Sequence, residues 1–166
     1  MVRYASLLVL ALALLFTSAS PAVAAPPGPT IVDVAIAANT GQFDTLIAAV
    51  LAADPAVLAT LSGNGQYTVF APTDDAFAEL GLNPGNVGTA LDQATLTSIL
   101  LYHVAPGRRD STQVLKSRRI NTLNGGFLRQ SGGVLTDNQK RTANIIVTDV
   151  AAANGIIHVI DRVVLP

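Results

Sequence analysis

Apolar residues recur along this chain at two different periods. Phe43, Leu46, Ile47, Val50 and Leu51 follow the i, i+3, i+4, i+7, i+8 rule of an amphipathic helix. Leu96, Ile99, Leu100 and His103 keep helical spacing again, with Asp92 as the cap. Polar residues mark further helix starts. Thr30-Ile31-Val32-Asp33 reads as a capping box: the Thr hydroxyl satisfies an orphan amide while Asp33 sits in the positive first turn. Asn39-Thr40-Gly41 ends that short helix. Asp54-Pro55 pairs an N-cap with Pro at the first helical position, starting a helix that stops near Gly63. Thr73-Asp74-Asp75 begins another, with two carboxylates in its positive end. One strand interrupts them, from Tyr67 to Ala71, between the Gly63-Asn64-Gly65 turn and Pro72.

Asn83-Pro84-Gly85 predicts a break before a polar stretch, and after Pro106-Gly107 the period shifts. From Arg118 onward, short β-type runs are divided by the hairpin signals Asn124-Gly125, Gly132-Gly133 and Asp137-Asn138. Asn144 to Val150 and Ile156 to Leu165 read as long, well-buried strands. No repeat of 20–50 residues occurs. Helices come first and strands follow, which predicts one α+β domain and not a parallel βαβ series.

The N-terminus has a separate logic. Arg3 precedes a nearly continuous apolar run from Ala5 to Phe16, small residues follow, and Ala22-Val23-Ala24 fits a small-x-small cleavage rule. The run is shorter than the ~20 residues needed to span a bilayer. Residues 1–24 are therefore expected to be a secretory signal peptide and 25–29 a Pro-rich leader, with 30–166 forming the domain. The expected location is secreted, either extracellular or periplasmic and associated with the cell surface. No transmembrane segment is expected in the mature chain.

Composition narrows the chemistry. Half of the 166 residues are hydrophobic, 13% are charged and none is Cys. A chain this apolar can bury enough surface to order itself. Without Cys there is no disulfide, thiolate nucleophile or Cys-based metal site. A net charge of −1 argues against a nucleic-acid binder.

The charges are also segregated. Residues 25–107 hold seven acids and no Lys or Arg, whereas 108–166 hold nine Lys or Arg and four acids. Arg108, Arg109, Lys116, Arg118 and Arg119 form a basic stretch suited to an anionic partner or to head-to-tail self-association. If the two halves interleave in space, those charges are simply solvated.

Enzyme motifs are missing: there is no Gly-x-Ser-x-Gly elbow, P-loop or His-Glu-x-x-His. The two histidines, His103 and His158, each lie beside apolar residues. Such positions suit packed, hydrogen-bonded rings better than a metal or proton-transfer pair. Asp74 and Asp75 point about 100° apart on a helix, so capping explains them better than paired catalysis. The reading is a non-enzyme with no cofactor.

Several of these stretches resemble known signatures. Tyr67-Thr-Val-Phe-Ala-Pro-Thr-Asp-Asp-Ala-Phe77 resembles the first signature of fasciclin (FAS1) domains, and Asn154-Gly-Ile-Ile-His-Val-Ile-Asp161 the second. Tyr102-His103 matches the family's Tyr-His motif, followed by Val104-Ala105-Pro106-Gly107. Ile31-Val32-Asp33 and Thr122-Leu-Asn-Gly-Gly126 also fit. The resemblance implies a twisted β-wedge of about seven strands with a cluster of α-helices packed on it. It implies adhesion or cell-surface and matrix association, through extracellular protein or polysaccharide partners. Tyr102, His103 and the pair Asp149-Val150 fall at positions linked to adhesion in the family, while Thr73, Asp74, Pro106, Gly107, Asn154, Gly155 and His158 are its structural motif residues. Some secreted algal members resemble pigment carriers, which makes carriage of a carotenoid or other hydrophobic small molecule the alternative function.

Overall fold

The computed structural model describes residues 27–38 and 41–166. The expected signal peptide, the start of the leader and the Asn39-Thr40 helix stop lie outside these residues. Helix starts follow their caps. The Thr30 hydroxyl accepts from the Asp33 amide at 3.3 Å and the Asp33 carboxylate accepts from the Thr30 amide at 2.8 Å, opening α1 (Ile31–Ala37). α2 (Asp44–Ala52) precedes α3 (Pro55–Ser62), where Asp54 accepts from the Ala56 amide at 2.8 Å. After β1 (Tyr67–Pro72), Thr73 caps α4 (Asp74–Ala78). The polar stretch that follows contains α5 (Val87–Ala90), a single turn too short to show periodicity. Asp92 then caps α6 (Gln93–Tyr102).

Besides α5, two elements are absent from the sequence prediction. β2 (Val104–Pro106) is three residues long, and α7 (Ser111–Lys116) is introduced by Asp110, which accepts from the Gln113 amide at 2.8 Å. The remaining strands are β3 (Arg119–Asn121), β4 (Phe127–Ser131), β5 (Val134–Thr136), β6 (Thr142–Ala152) and β7 (Gly155–Ile160).

These form one seven-stranded sheet in the order β2-β1-β7-β6-β5-β4-β3. All neighbours are antiparallel except β1 and β7, which run parallel from Tyr67↔Gly155 to Pro72↔Ile160. Gly155 is required at the start of that pair, because a Cβ there would overlap the Tyr67 carbonyl oxygen. Gly132 and Gly133, both with positive φ, make the two-residue turn between β4 and β5.

The two long strands differ from expectation. β6 is not buried: only Ala143 and Ala152 are enclosed, because β5 pairs with it only as far as Asn144. β7 is buried along its whole length but ends at Ile160 and not near Leu165. Its neighbour β1 ends in Pro72, and the chain then turns into α4, so the ladder has no further partner.

Both central strands are covered on two faces. Val69, Ala71, Ile157 and Val159 face a core shared with helices α1 to α6, which includes Phe43, Leu46, Leu61 and Phe77. Phe70 and Ile160 face a second core with Tyr102, Val114, Ile120, Leu128 and Leu135, where β3 to β5 fold over the other side of the sheet. The Leu123 amide donates to the Val104 carbonyl at 2.8 Å, closing β3 towards β2 and completing the wedge. Among the described residues no single helix is long and apolar enough to cross a membrane.

Candidate binding surfaces

Helix α6 delivers Tyr102 and His103 into the interior. Tyr102 is fully buried and its hydroxyl donates to the Phe127 carbonyl at 2.7 Å; desolvation raises its phenol above the ordinary value. His103 is the C-cap of α6 and only 3% exposed. Its Nδ1 donates to the Ile99 carbonyl at 2.8 Å and its Nε2 accepts from the Val164 amide at 3.2 Å, a pattern that needs the neutral ring. Burial, with a smaller contribution from the Arg141 charge, pushes its pKa down to about 4. Both side chains hold the fold: Tyr102 is enclosed, and His103 reaches no further than the wall of an apolar cleft.

The second signature also works inward. Buried Asn154 accepts from the Ile31 amide at 2.8 Å and donates to the carbonyls of Leu61 and Gly63 at 2.6 and 2.9 Å, tying α1 and α3 to the start of β7. His158 faces Phe70 across the parallel pair, with ring centroids 5.8 Å apart. It donates from Nε2 to the Arg109 carbonyl at 3.0 Å and accepts the Asp149 amide at Nδ1 at 3.3 Å. The two histidines do not share a site, and among the described residues no group of three or more His, Asp or Glu could hold a metal ion.

Asp149 lies in a bulge of β6 with φ +63°, a left-handed conformation that few non-glycine residues adopt. Its carboxylate accepts from the Ser111 amide at 2.7 Å at the start of α7, and hydrogen bonds from Ser111 hold its pKa below the usual carboxylate value. Val150, next to it, is half-buried against the helix-side core. In the first signature, Asp74 reaches past its own helix to accept the amides of Asp44 and Thr45 at the start of α2. Pro106 is exposed, while Gly107, at φ +86°, accepts from the Thr68 hydroxyl at 2.7 Å.

The basic stretch is distributed over three places. Arg108 donates to the Ala152 carbonyl at 3.0 Å, Arg109 lies beside β1 through its backbone, and Lys116 ends α7. Arg118 is exposed just before β3. Arg119 stands directly opposite Arg129 on β4, and its guanidinium carbon sits 3.8 Å from the centroid of Phe127. Arg129 and Phe127 were missed by the sequence reading. The Asn124-Gly125 turn is the signal that would have found them, since a hairpin centred there puts Arg119 across from Arg129.

Among the described residues only Arg141 and Arg162 form ion pairs, with Asp137 at 3.0 Å and Glu79 at 3.2 Å. Only the second pair joins the two charge halves.

A second feature is an apolar cleft of about 130 Å³ between α1, α2 and the sheet, lined by aliphatic side chains such as Val34, Ile47, Leu58 and Val150, by two phenylalanines and by His103. At its rim Ile36 and Leu51 are 53% and 69% exposed. Leu51 ends the apolar stripe of α2, and the helix carries it past the core edge.

The motif geometry and sheet order define a class, and comparison with known proteins agrees. The Fasciclin domain family model matches residues 41–166, so the chain belongs to the fasciclin domain family. It is 44% identical over 142 residues to Protein sll1483 of Synechocystis sp., covering 82% of this chain and 73% of that one. Immunogenic protein MPB70 of Mycobacterium bovis is 35% identical over 158 residues, covering 87% and 78%. Transforming growth factor-beta-induced protein ig-h3 of Sus scrofa is 35% identical over 145 residues, covering 85% of this chain but 20% of the longer protein. Among solved structures, a FAS1 domain pair from the insect cell adhesion molecule Fasciclin I aligns with a TM-score of 0.55 and 25% identity. That alignment covers 70% of this chain and 42% of the pair.

Proposed function

We infer that this chain is a secreted, non-enzymatic fasciclin-domain protein that serves adhesion or association with the cell surface and matrix, through an extracellular protein or polysaccharide partner. One observation carries the reading. Thr68, Thr73, Asp74, Asn154, His158 and Asp161 of the signature motifs are engaged within the fold, whereas most of the Arg and Lys side chains face outward without a carboxylate. That leaves surface recognition as the work available to the chain. The structural likeness to a domain pair from a cell adhesion molecule supports the same class of role. The test is retention of the purified protein on source cells and on their extracellular matrix at 50 and 300 mM NaCl. Saturable, salt-sensitive retention is the expected result; none at either salt contradicts the reading.

The apolar cleft favours a second reading, carriage of a hydrophobic small molecule such as a carotenoid. Its test is gel filtration of protein incubated with a carotenoid while following visible absorption. A coloured protein peak, with stability raised by about 2.7 kcal/mol at a hundredfold excess over the dissociation constant, is the expected result. A colourless peak with unchanged melting rejects it.

A further inference from the structure

Arg119 and Arg129 face each other across β3 and β4, and their guanidinium carbons lie 3.8 and 5.7 Å from the centroid of the Phe127 ring. Like charges directly opposite on an antiparallel pair destabilise it. Among the described residues no carboxylate lies within ion-pair distance of either arginine, so only the aromatic ring offsets that repulsion within the fold.

The platform under the arginines is fixed from the core. The Tyr102 hydroxyl holds the Phe127 carbonyl at 2.7 Å, and Gly126 leaves room for the Tyr102 ring, where a Cβ would lie 2.7 Å from Cε2. Around the arginines, the same face carries neutral hydrogen-bonding groups: Asn121 opposite Phe127, Thr136 opposite Arg129, and Ser131 two residues further along β4. Two guanidinium forks gathered at one aromatic ring, with Arg119 stacked on it, match carboxylate or sulfate groups.

We propose that this face of β3–β5 binds an acidic polysaccharide, with Arg119 and Arg129 taking its carboxylate or sulfate groups and Asn121, Ser131 and Thr136 its hydroxyls. The inference rests on the reading that the chain binds an extracellular partner. A folded acidic protein fits less well, because Phe127, the aromatic group of this face, is already covered by guanidinium and offers little apolar surface to bury. A second copy of the chain also fits less well: four of the seven acids in the helical half, Asp33, Asp54, Asp74 and Asp92, already accept backbone amides at helix starts.

The experiment measures affinity of the full chain for polygalacturonate, dextran sulfate, neutral dextran and polyglutamate at 50 and 150 mM NaCl. Binding to at least one acidic polysaccharide, weakened by salt, and none to neutral dextran is the expected result. Preference between polygalacturonate and dextran sulfate assigns the acid group. The double variant Arg119→Gln/Arg129→Gln should weaken that binding about tenfold or more. Lys116→Gln/Lys140→Gln, which removes the same charge elsewhere, should weaken it less than about threefold.

Equal losses in the two doubles, polyglutamate binding as tight as polysaccharide, or no polysaccharide binding at all would each overturn the proposal. If the glutamine double fails to fold, Arg119→Lys/Arg129→Lys keeps the charge but removes the planar forks. Weaker binding by that variant supports the site and unchanged affinity overturns it. Retention on cells or matrix without polysaccharide binding overturns this inference alone. Polysaccharide binding without such retention supports it while contradicting the adhesion role.

Discussion

The helical half and the hairpin half of this domain carry opposite charge for different physical reasons. In the helical half, Asp33, Asp54, Asp74 and Asp92 each accept backbone amides at the start of a helix. Acidic residues suit those positions because N-termini present unpaired N–H groups and a positive dipole end. In the hairpin half, Arg119 and Arg129 sit on the open face of the sheet, where no backbone terminus calls for a cation. The same statistic, a segregated charge, thus reports folding on one side and an outward-facing surface on the other. Substituting the acids should change stability, whereas substituting the arginines should change binding.

The largest expected effect lies where the two regions meet. Asn154→Ala removes one acceptor and one twice-used donor from a fully buried site, leaving the Ile31 amide and two carbonyls unpaired. Its expected loss, by urea unfolding, is about 3 kcal/mol or more. Asn144→Ala, which breaks one exposed side-chain bond to Asp161 and leaves the backbone amide bond in place, should lose less than about 1 kcal/mol. Equal losses would break the distinction between buried tie and surface contact.

His103 gives the next effect, and a pH dependence. Its folded pKa of about 4 lies below the ordinary 6.5, so the unfolded chain binds the extra proton between those values. Stability is fully present above pH 6.5 and falls by about 3 kcal/mol as pH drops towards 4. Asp33, Asp92 and Asp149 have pKa values lowered by hydrogen bonds, from Thr30, Thr95 and Ser111 respectively. Their contributions are present above the ordinary carboxylate value of 3.8 and are lost only as pH falls below it, outside the His103 window. Urea unfolding at pH 7 and pH 4.5 checks this. Wild-type protein should lose stability across that range, and His103→Gln should lose most of the dependence. An unchanged slope in the variant would place the titration elsewhere.

A smaller effect tests the helical caps themselves. Asp74→Ala leaves the amides of Asp44 and Thr45 without their carboxylate and should cost about 1–2 kcal/mol by urea unfolding. The smallest is Arg129→Gln, which relieves a like-charge pair and should change stability by less than about 0.5 kcal/mol.

Much of this architecture was legible because caps and turns are chemical signals. Thr30, Asp54, Thr73 and Asp92 each stand at the helix start their residue types predict. The paired positive-φ glycines Gly132 and Gly133 likewise announced a hairpin turn. What stayed hidden depends on partners distant in sequence. Asp74 was read as part of its own helix, and only packing shows it capping α2, some thirty residues earlier. Short α5, α7 and β2 carry too few residues to show a period. The exposure of β6 depends on how far β5 extends beside it, and Leu51 continues a helical stripe that the core does not reach. The Arg119–Arg129 pair follows only once the strand register is counted outward from the Asn124-Gly125 turn.

The most direct measurement compares equilibrium urea unfolding of two variants with equal and opposite charge change, Asp74→Ala/Asp92→Ala and Arg119→Gln/Arg129→Gln. The expected loss is about 2 kcal/mol or more for the first and less than about 0.5 kcal/mol for the second. Equal losses, or a larger loss in the arginine variant, would contradict the assignment of the acids to folding and the arginines to recognition.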